Sequence, residues 1–210
     1  MLVEFKSDFK VTDAECRKAT GKTLKEWFKE LEGHPEFNRK RREAIQLMYD
    51  ATGRGSDVWW PTTIWVEYEK SLGIVNKKDG LAEGFNICCT KTISASVADV
   101  YKAWISAKGL ATWFGSDVKA KIADKGPWSD GDGNTGEFLR VRENKDLRFT
   151  WNNSDAEAPT LVDVTFQDKG NGKTGLMLNH QRIQNRAEAD GLRNAWSAAF
   201  EQLKATIEKG

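Results

Sequence analysis

The chain has 210 residues, enough for one large domain or two modest ones, and its 39% hydrophobic and 30% charged residues are ordinary for a globular protein. Lys and Arg (32) balance Asp and Glu (31), so the formal net charge is only +1. This balance excludes any binding mode that depends on overall positive charge, such as general attraction to nucleic acid or to an anionic membrane. Partners must therefore be inferred from local features.

Neither targeting nor metal binding is indicated. The N-terminal run MLVEFKSDFK lacks the apolar segment of a signal peptide, and no later run approaches the length of a membrane span, so we expect a cytoplasmic protein. The three cysteines, Cys16, Cys88 and Cys89, cannot all pair within one chain, and free thiols are expected. Their spacing and the positions of His34 and His180 fit no zinc pattern. We predict no metal and no cofactor.

The N-terminal third carries helical signals. Thr12-Asp-Ala-Glu15 and Thr23-Leu-Lys-Glu26 are typical capping boxes, in which a Thr oxygen and a Glu side chain satisfy amides at a helix start. Pro35 suits the first turn of a third helix, and a fourth is expected after Gly53-Arg-Gly55. We predict a small all-helical domain over residues 1–75.

One basic run and one polar segment stand out in this region. Acidic residues are equally frequent around Asn38-Arg-Lys-Arg-Arg42, so a solvated helix face explains the run better than contact with nucleic acid does. The segment VNKKDGLAEG is polar and contains two glycines, which favours an interdomain linker at 76–84. A second domain would then cover residues 85–210.

In the second domain the pattern changes to alternation typical of strands. Phe85, Ile87 and Cys89 share one face of a first strand, and two short helices follow, one beginning at Ser96 and one over Leu110 to Phe114. Five further strands are predicted at Asp117 to Ala123, Glu137 to Arg142, Leu147 to Trp151, Leu161 to Gln167 and Gly175 to Ile183. Their short connections predict antiparallel neighbours.

The last helix, Gly191 to Ile207, organises this domain. One apolar stripe recurs at steps of three and four residues and consists of Leu192, Ala195, Trp196, Ala199, Phe200, Leu203 and Ile207. Such a stripe needs a large apolar partner, which the preceding strands supply. We predict an α+β fold of the helix-grip, START-like type, in which a curled antiparallel sheet closes on the long C-terminal helix.

The same region resembles a known family. Thr92 to Trp104 (TISASVADVYKAW), Trp113-Phe114, Leu147-Arg-Phe-Thr-Trp151, Leu161 to Phe166, Thr174 to His180 and Trp196 to Leu203 are similar to the C-terminal domain of the activator of Hsp90 ATPase, within the START-like (SRPBCC) superfamily. The resemblance covers Phe85 to Ile207. It implies the helix-grip fold and contact with an Hsp90-type chaperone. The N-terminal region, through Thr20-Gly-Lys-Thr-Leu-Lys-Glu-Trp27 and Trp65-Val-Glu-Tyr-Glu69, resembles an uncharacterised helical domain that is fused to such domains in bacterial proteins. Ala195 and the Asp-rich loop Trp128 to Gly136 depart from the family pattern.

Three motifs for chemistry are weak. Asp130-Gly-Asp-Gly-Asn134 begins like a calcium loop, but Thr135 stands where the sharp turn needs Gly and Val141 where a bidentate Glu is required. A hairpin loop is the better interpretation. Gly170-Asn-Gly-Lys-Thr174 lacks the first glycine of a phosphate-binding loop at the required spacing. His180 is in phase with the inward positions of its strand, and a hydrogen-bonded core histidine is more usual than a catalytic one. We predict no catalytic residue.

A cavity between sheet and helix is the remaining candidate site. By phase its lining would consist of Phe149, Trp151, Met177 or Leu178, His180, Trp196 and Phe200. The alternative is that these side chains simply fill the core. Three functions follow: a non-catalytic module that holds a hydrophobic small molecule, a protein-interaction or co-chaperone-like module, and an enzyme such as a cyclase or hydrolase. The first is our leading hypothesis, and all three remain open on sequence.

Overall fold

The computed structural model describes residues 1–7, 10–37, 40–52, 59–75 and 80–209. The expected start signal of the fourth helix at residues 53–55, the first two residues of the basic run, 38 and 39, and residues 76–79 of the predicted linker lie outside this range. The chain divides into two compact units, Ser7–Phe85 (the helical unit) and Met1–Lys6 with Asn86–Gly210 (the sheet unit). The separability of the two predicted domains stays a prediction.

Within its described residues the helical unit contains four α-helices and one 3₁₀ turn. They are α1 (Asp13–Thr20), α2 (Leu24–Glu32), the 3₁₀ turn Pro35–Phe37, α3 (Arg41–Ala51) and α4 (Trp59–Ser71). Thr23 and Glu26 form the complete capping box at α2, and Thr12 accepts from the Glu15 amide at α1. The expected helix from Pro35 is instead a 3₁₀ turn followed by α3, because the backbone angle that proline imposes suits both kinds of helix.

The core of the helical unit is built from one apolar face of each α-helix. Its buried members are Cys16, Trp27, Leu31, Ala44, Met48, Trp60, Ile64 and Trp65. Arg41, from the basic run, donates to the Gly84 carbonyl at 2.6 Å and lies 3.6 Å from the Glu69 carboxylate. Residues 80–84 of the predicted linker belong to this unit. Arg41 thus has a structural role within the helical unit.

The sheet unit is an α+β helix-grip fold. Its elements are β1 (Phe85–Ile93), α5 (Val97–Lys102), α6 (Ala107–Leu110), β2 (Lys119–Ala120), β3 (Pro127–Ser129), β4 (Asn134–Arg142), β5 (Asp146–Asn153), β6 (Thr160–Asp168), β7 (Thr174–Ile183) and α7 (Arg186–Glu208). The strands form one seven-stranded sheet in the order β1-β7-β6-β5-β4-β3-β2. Each neighbouring pair from β2 to β7 is antiparallel. The predicted fold class is confirmed.

Several boundaries differ from the sequence-based prediction. The second short helix, expected over Leu110 to Phe114, is Ala107–Leu110, and β4 begins at Asn134 and not at Glu137. The first middle strand, expected at Asp117 to Ala123, is only the two-residue β2, and β3 occupies part of the stretch that was interpreted as an Asp-rich loop. A three-residue strand is too short to show alternation, which explains why the pattern did not reveal it. Helix α7 begins five residues earlier than expected, because Asn185 caps it by accepting from the Glu188 amide at 2.9 Å.

The N-terminal segment Met1–Lys6 belongs to the sheet unit and approaches it closely at two glycines. A Cβ atom added at Gly191 of α7 would meet the Glu4 carbonyl oxygen at 2.2 Å. A Cβ atom added at Gly115 would meet the Met1 nitrogen at 2.3 Å. Because glycine has no Cβ atom, these two positions let the backbone of Met1–Lys6 pack directly against the rest of the sheet unit.

Candidate functional site

The Asp130 loop holds itself together through its own carboxylate. Asp130 Oδ1 accepts from the Asp132 and Asn134 amides, each at 3.0 Å, and Oδ2 accepts from Asn134 Nδ2 at 2.8 Å and the Met1 ammonium at 2.6 Å. Both oxygens are therefore occupied by protein donors, as the hairpin interpretation expects. Within the described residues, no three His, Cys, Asp or Glu side chains gather as a metal site would require.

Six of the seven predicted pocket residues meet in the interior between the sheet and α7. Phe149, Trp151, Leu178, His180, Trp196 and Phe200 are all at most 4% exposed. The Trp196 ring lies 5.5 Å from Trp151 and 6.0 Å from Phe200, measured between ring centroids. Phe149 joins this cluster through Trp128, at 5.7 Å. The periodicity of the strands and of α7 thus indicated correctly that these six side chains lie together.

Met177 is the exception and is withdrawn from the predicted lining. Its side chain is 42% exposed, whereas its neighbour Leu178 is fully buried. Successive side chains of a strand point to opposite faces, so only one of the two could lie inside. In the register of the sheet Leu178 pairs with buried Val164, and Met177 pairs with Thr165 on the outer face.

His180 is the polar centre of this interior. Its Nδ1 accepts from the Trp196 indole at 3.0 Å, and its Nε2 lies 2.6 Å from Thr160 Oγ1. Because Thr160 donates its own proton to the Trp151 carbonyl at 3.1 Å, Nε2 must carry the histidine proton and donate to Thr160. Burial lowers the pKa of His180 to about 3, so the ring is neutral. Both ring nitrogens form hydrogen bonds to other buried residues, as expected of a histidine with a structural role.

The void in this interior is small. A cavity of about 20 Å³ is lined by six apolar side chains, Trp104, Leu110, Phe114, Trp128, Phe138 and Phe149. That volume holds about one water-sized molecule, whereas pockets for drug-sized ligands measure roughly 300–1,000 Å³. The lining includes no acid, base or nucleophile, so it offers no group for acid–base or covalent catalysis.

Sequence reasoning missed most of this lining. Trp104, Leu110 and Phe114 come from the short helical region between β1 and β2, where the pattern has too few turns to show which side faces the sheet. Trp128 lies on β3, and its indole donates to the Thr150 carbonyl at 3.2 Å. Gly136 permits this, because a Cβ there would lie 2.4 Å from the indole nitrogen. The signal available in the sequence was the density of aromatics in these segments.

Two indole groups in this interior find no hydrogen-bond acceptor. Trp104 Nε1 and Trp151 Nε1 are buried and unpaired among the described residues. Most buried donors in folded proteins are paired, so such groups call for an explanation, such as an ordered water or a bound polar atom. The Trp104 ring also lines the cavity, but the cavity wall is formed by carbon atoms alone, so this N–H does not face the void.

Comparison with known proteins places the sheet unit in a family. The family model described as activator of Hsp90 ATPase homolog 1-like protein matches residues 94–208, more than half of the chain. No curated protein sequence matches the chain. In the described part of the chain no helix combines the length and apolarity that a membrane span needs.

Solved structures share the fold at low sequence identity. CalU16 from Micromonospora echinospora is 20% identical, with a TM-score of 0.55 over 60% of this chain and 78% of that one. PFC0360w, an HSP90 activator from Plasmodium falciparum, is 18% identical, with a TM-score of 0.55 over 60% of this chain and 97% of that one. The Aha1 dimer from Colwellia psychrerythraea is 18% identical, with a TM-score of 0.54 over 59% and 96%. At these identities the likeness is one of fold.

Proposed function

Since the chain belongs to the activator of Hsp90 ATPase homolog 1-like family, we propose that it acts through its surface, as a co-chaperone-like protein-interaction module for an Hsp90-type chaperone. The observation that carries the proposal is the close packing of the interior between the sheet and α7. The cavity of about 20 Å³ is far below the size of a ligand pocket, and Trp196 is fully buried. A module with a filled core has its surface available for function.

The packing around Trp196 supports this choice. Its ring has five aromatic neighbours within 6.5 Å between centroids, namely Trp104, Phe114, Trp151, His180 and Phe200. Its nitrogen is used by His180. A hydrophobic molecule bound beside Trp196 would have to displace several of these rings, and close-packed interiors resist such changes at a cost of roughly 1–3 kcal/mol for each overpacked site.

The direct test is the ATPase activity of a purified Hsp90. We expect the full-length protein to raise the ATPase rate in a saturable manner and to bind Hsp90 in analytical ultracentrifugation. Background hydrolysis is measured in the presence of an inhibitor of the Hsp90 ATP site, and heat-denatured protein serves as the control. If native protein neither binds Hsp90 nor changes its rate, the proposed partner is wrong.

The second candidate function is the binding of a small hydrophobic molecule, which was our leading hypothesis from the sequence alone. It is favoured by the purely apolar lining of the cavity, which suits a hydrophobic molecule. Thermal shift with fatty acids, sterols and flavonoid-like aromatics separates the two functions, because a ligand that binds only the folded state raises the melting temperature. A rise that is lost in Trp196→Leu would establish the second candidate, and no rise with any compound would reject it.

A further inference from the structure

An open groove lies on the sheet unit where β1, β6, β7 and the C-terminal part of α7 meet. It encloses about 510 Å³, and we call it the lysine groove. Three of its lining residues are lysines and none is acidic. The residues that matter for its chemistry are Thr90, Lys91, Thr92, Lys169, Met177 and Lys204. The surface therefore combines positive charge, hydroxyl groups and one exposed thioether.

The charges of the groove are only weakly compensated. Lys91 pairs with Glu201, whose side chain is 67% exposed, and Lys204 lies 3.7 Å from Glu208. Both pairs are partly exposed, with Lys91 at 23% and Glu208 at 27%. Ion pairs in contact with solvent contribute roughly 0–1 kcal/mol, so an incoming carboxylate can replace them at little cost. Lys169 donates to the neutral amide oxygen of Gln167 at 2.7 Å, which leaves its positive charge without a neutralising carboxylate in that bond.

Gly175 places Lys169 over the groove. A Cβ atom added at Gly175 would lie 2.5 Å from Lys169 Cε and 3.3 Å from its Cγ, so the lysine stem lies against the backbone of β7 at this position. Any larger residue would push the stem away. The backbone of Gly175 is not in the left-handed region, so an alanine would fit the strand itself. Replacement of Gly175 by alanine should therefore displace the Lys169 ammonium while the charge of the groove stays the same.

The free edge of β1 is partly covered at the same place. Lys204 donates to the Thr92 carbonyl at 3.2 Å, and the Ser94 amide donates to Glu208 at 2.7 Å. These side chains occupy backbone groups that an added strand would need. A partner would consequently be held through its side chains, with carboxylates at the lysines and an apolar group against Met177, which is 42% exposed.

We propose that the lysine groove binds an extended acidic segment of a partner protein that also carries apolar residues. This inference rests on the proposed interaction function and specifies its surface. A nucleic acid fits less well, because single strands are held by aromatic stacking and the lining contains no aromatic residue or arginine. The near-neutral chain also lacks the general positive charge of nucleic-acid-binding proteins.

The test uses fluorescence anisotropy of the full-length protein with a fluorescein-labelled octapeptide of alternating Glu and Leu. A matched peptide with Lys in place of Glu, and a labelled single-stranded oligonucleotide, are the comparison probes. We expect the Glu peptide to bind and to weaken with added salt. Lys169→Gln should weaken binding about two- to fivefold, as loss of one exposed charge contact predicts. Gly175→Ala should weaken it similarly with charge unchanged, while Lys102→Gln on α5, an equal loss of charge elsewhere, should leave it unchanged.

The outcomes separate this inference from the proposed Hsp90 function. Equal binding of both peptides, preferential binding of the oligonucleotide, or a Glu peptide that is insensitive to both groove variants would overturn the inference. If Hsp90 stimulation persists in Lys169→Gln and Gly175→Ala and the Glu peptide does not bind, the groove is wrong and the Hsp90 function stands. If the Glu peptide binds as expected and Hsp90 is unaffected, the groove stands and the partner is another protein.

Discussion

Replacement of His180 by Leu tests whether the buried hydrogen-bond chain organises the interior. His180 is fully buried, accepts from Trp196 and donates to Thr160. Leucine has a similar volume, so the cavity contribution is small, but the Trp196 N–H is left without its acceptor. A buried donor without a partner costs roughly 1–3 kcal/mol, and Thr160 loses an accepted bond as well. We expect a loss of about 2–3 kcal/mol at pH 8.

The double variant His180→Leu/Trp196→Phe shows whether the loss comes from the orphaned indole. Trp196→Phe alone leaves His180 Nδ1 unsatisfied and creates space in the core. In the double variant both ends of that hydrogen bond are gone, so the two costs should not add. We expect the combined loss to fall short of the sum of the single losses by about 1–2 kcal/mol.

The same variant has a distinct pH dependence. Burial lowers the pKa of His180 to about 3, against roughly 6.5 in an unfolded chain. Between these values the unfolded state binds the extra proton, so this histidine's contribution is complete above about pH 6.5 and is lost progressively as the pH falls towards 3. At pH 5 the loss amounts to about 2 kcal/mol. His180→Leu lacks it, so its deficit relative to wild type should shrink to about 0–1 kcal/mol.

Equilibrium urea denaturation at pH 8 and pH 5, with comparison of slopes as well as midpoints, measures all four proteins. The exposed His34 and the buried carboxyls Glu69 and Glu188, whose pKa values desolvation raises, are present in every variant and cancel in the difference. A deficit of His180→Leu that is the same at both pH values, or single losses that add fully, would refute the account of a neutral histidine that serves the indole.

Three further predictions concern the rest of the chain. Asp130→Ala should lower the stability by about 2–4 kcal/mol in urea denaturation because its carboxylate accepts four bonds, whereas exposed Asp124→Ala should cost under about 0.5 kcal/mol. The fragment 86–210 should fold but melt below the full chain, and a peptide of residues Met1–Lys6 should raise its melting temperature; failure to fold would mean one cooperative domain. In thiol titration exposed Cys88 should react first, because burial raises the pKa of Cys89, and that of Cys16 to about 11; simultaneous reaction would contradict this burial.

The fold was predictable because long elements repeat their pattern several times. In α7 the apolar stripe from Leu192 to Ile207 runs through about four turns, and Trp196, Phe200 and Leu203 are all buried as it requires. The pairing of β6 with β7 likewise places Val164 opposite Leu178, both buried, as alternation predicts. Errors in boundaries, such as the earlier start of α7 at Arg186, arise where a capping side chain and not the apolar pattern decides the end.

The site was less predictable because it depends on short segments and on close approaches between backbones. No periodicity indicates that Gly136 lets the Trp128 indole cross to the Thr150 carbonyl, since the contact joins residues of three strands. The choice between Met177 and Leu178 depended on register, and a shift by one residue exchanges the faces of a strand. The volume left between the rings is smaller than the uncertainty of any estimate from side-chain size alone.

The interior and the lysine groove differ in how readily they can accept a binding partner. On the inner face, the aromatic rings and the His180 hydrogen bonds fill the space between sheet and α7, so an entering ligand must first break packing that stabilises the fold. At the β1 edge of the sheet, the lysine groove is already open and its ion pairs are partly exposed, so a partner gains contacts without disturbing the core. A core variant such as His180→Leu should therefore change stability and leave the affinity for an acidic peptide unaltered, while Lys169→Gln should do the reverse. This separation is what a module that binds through its surface requires.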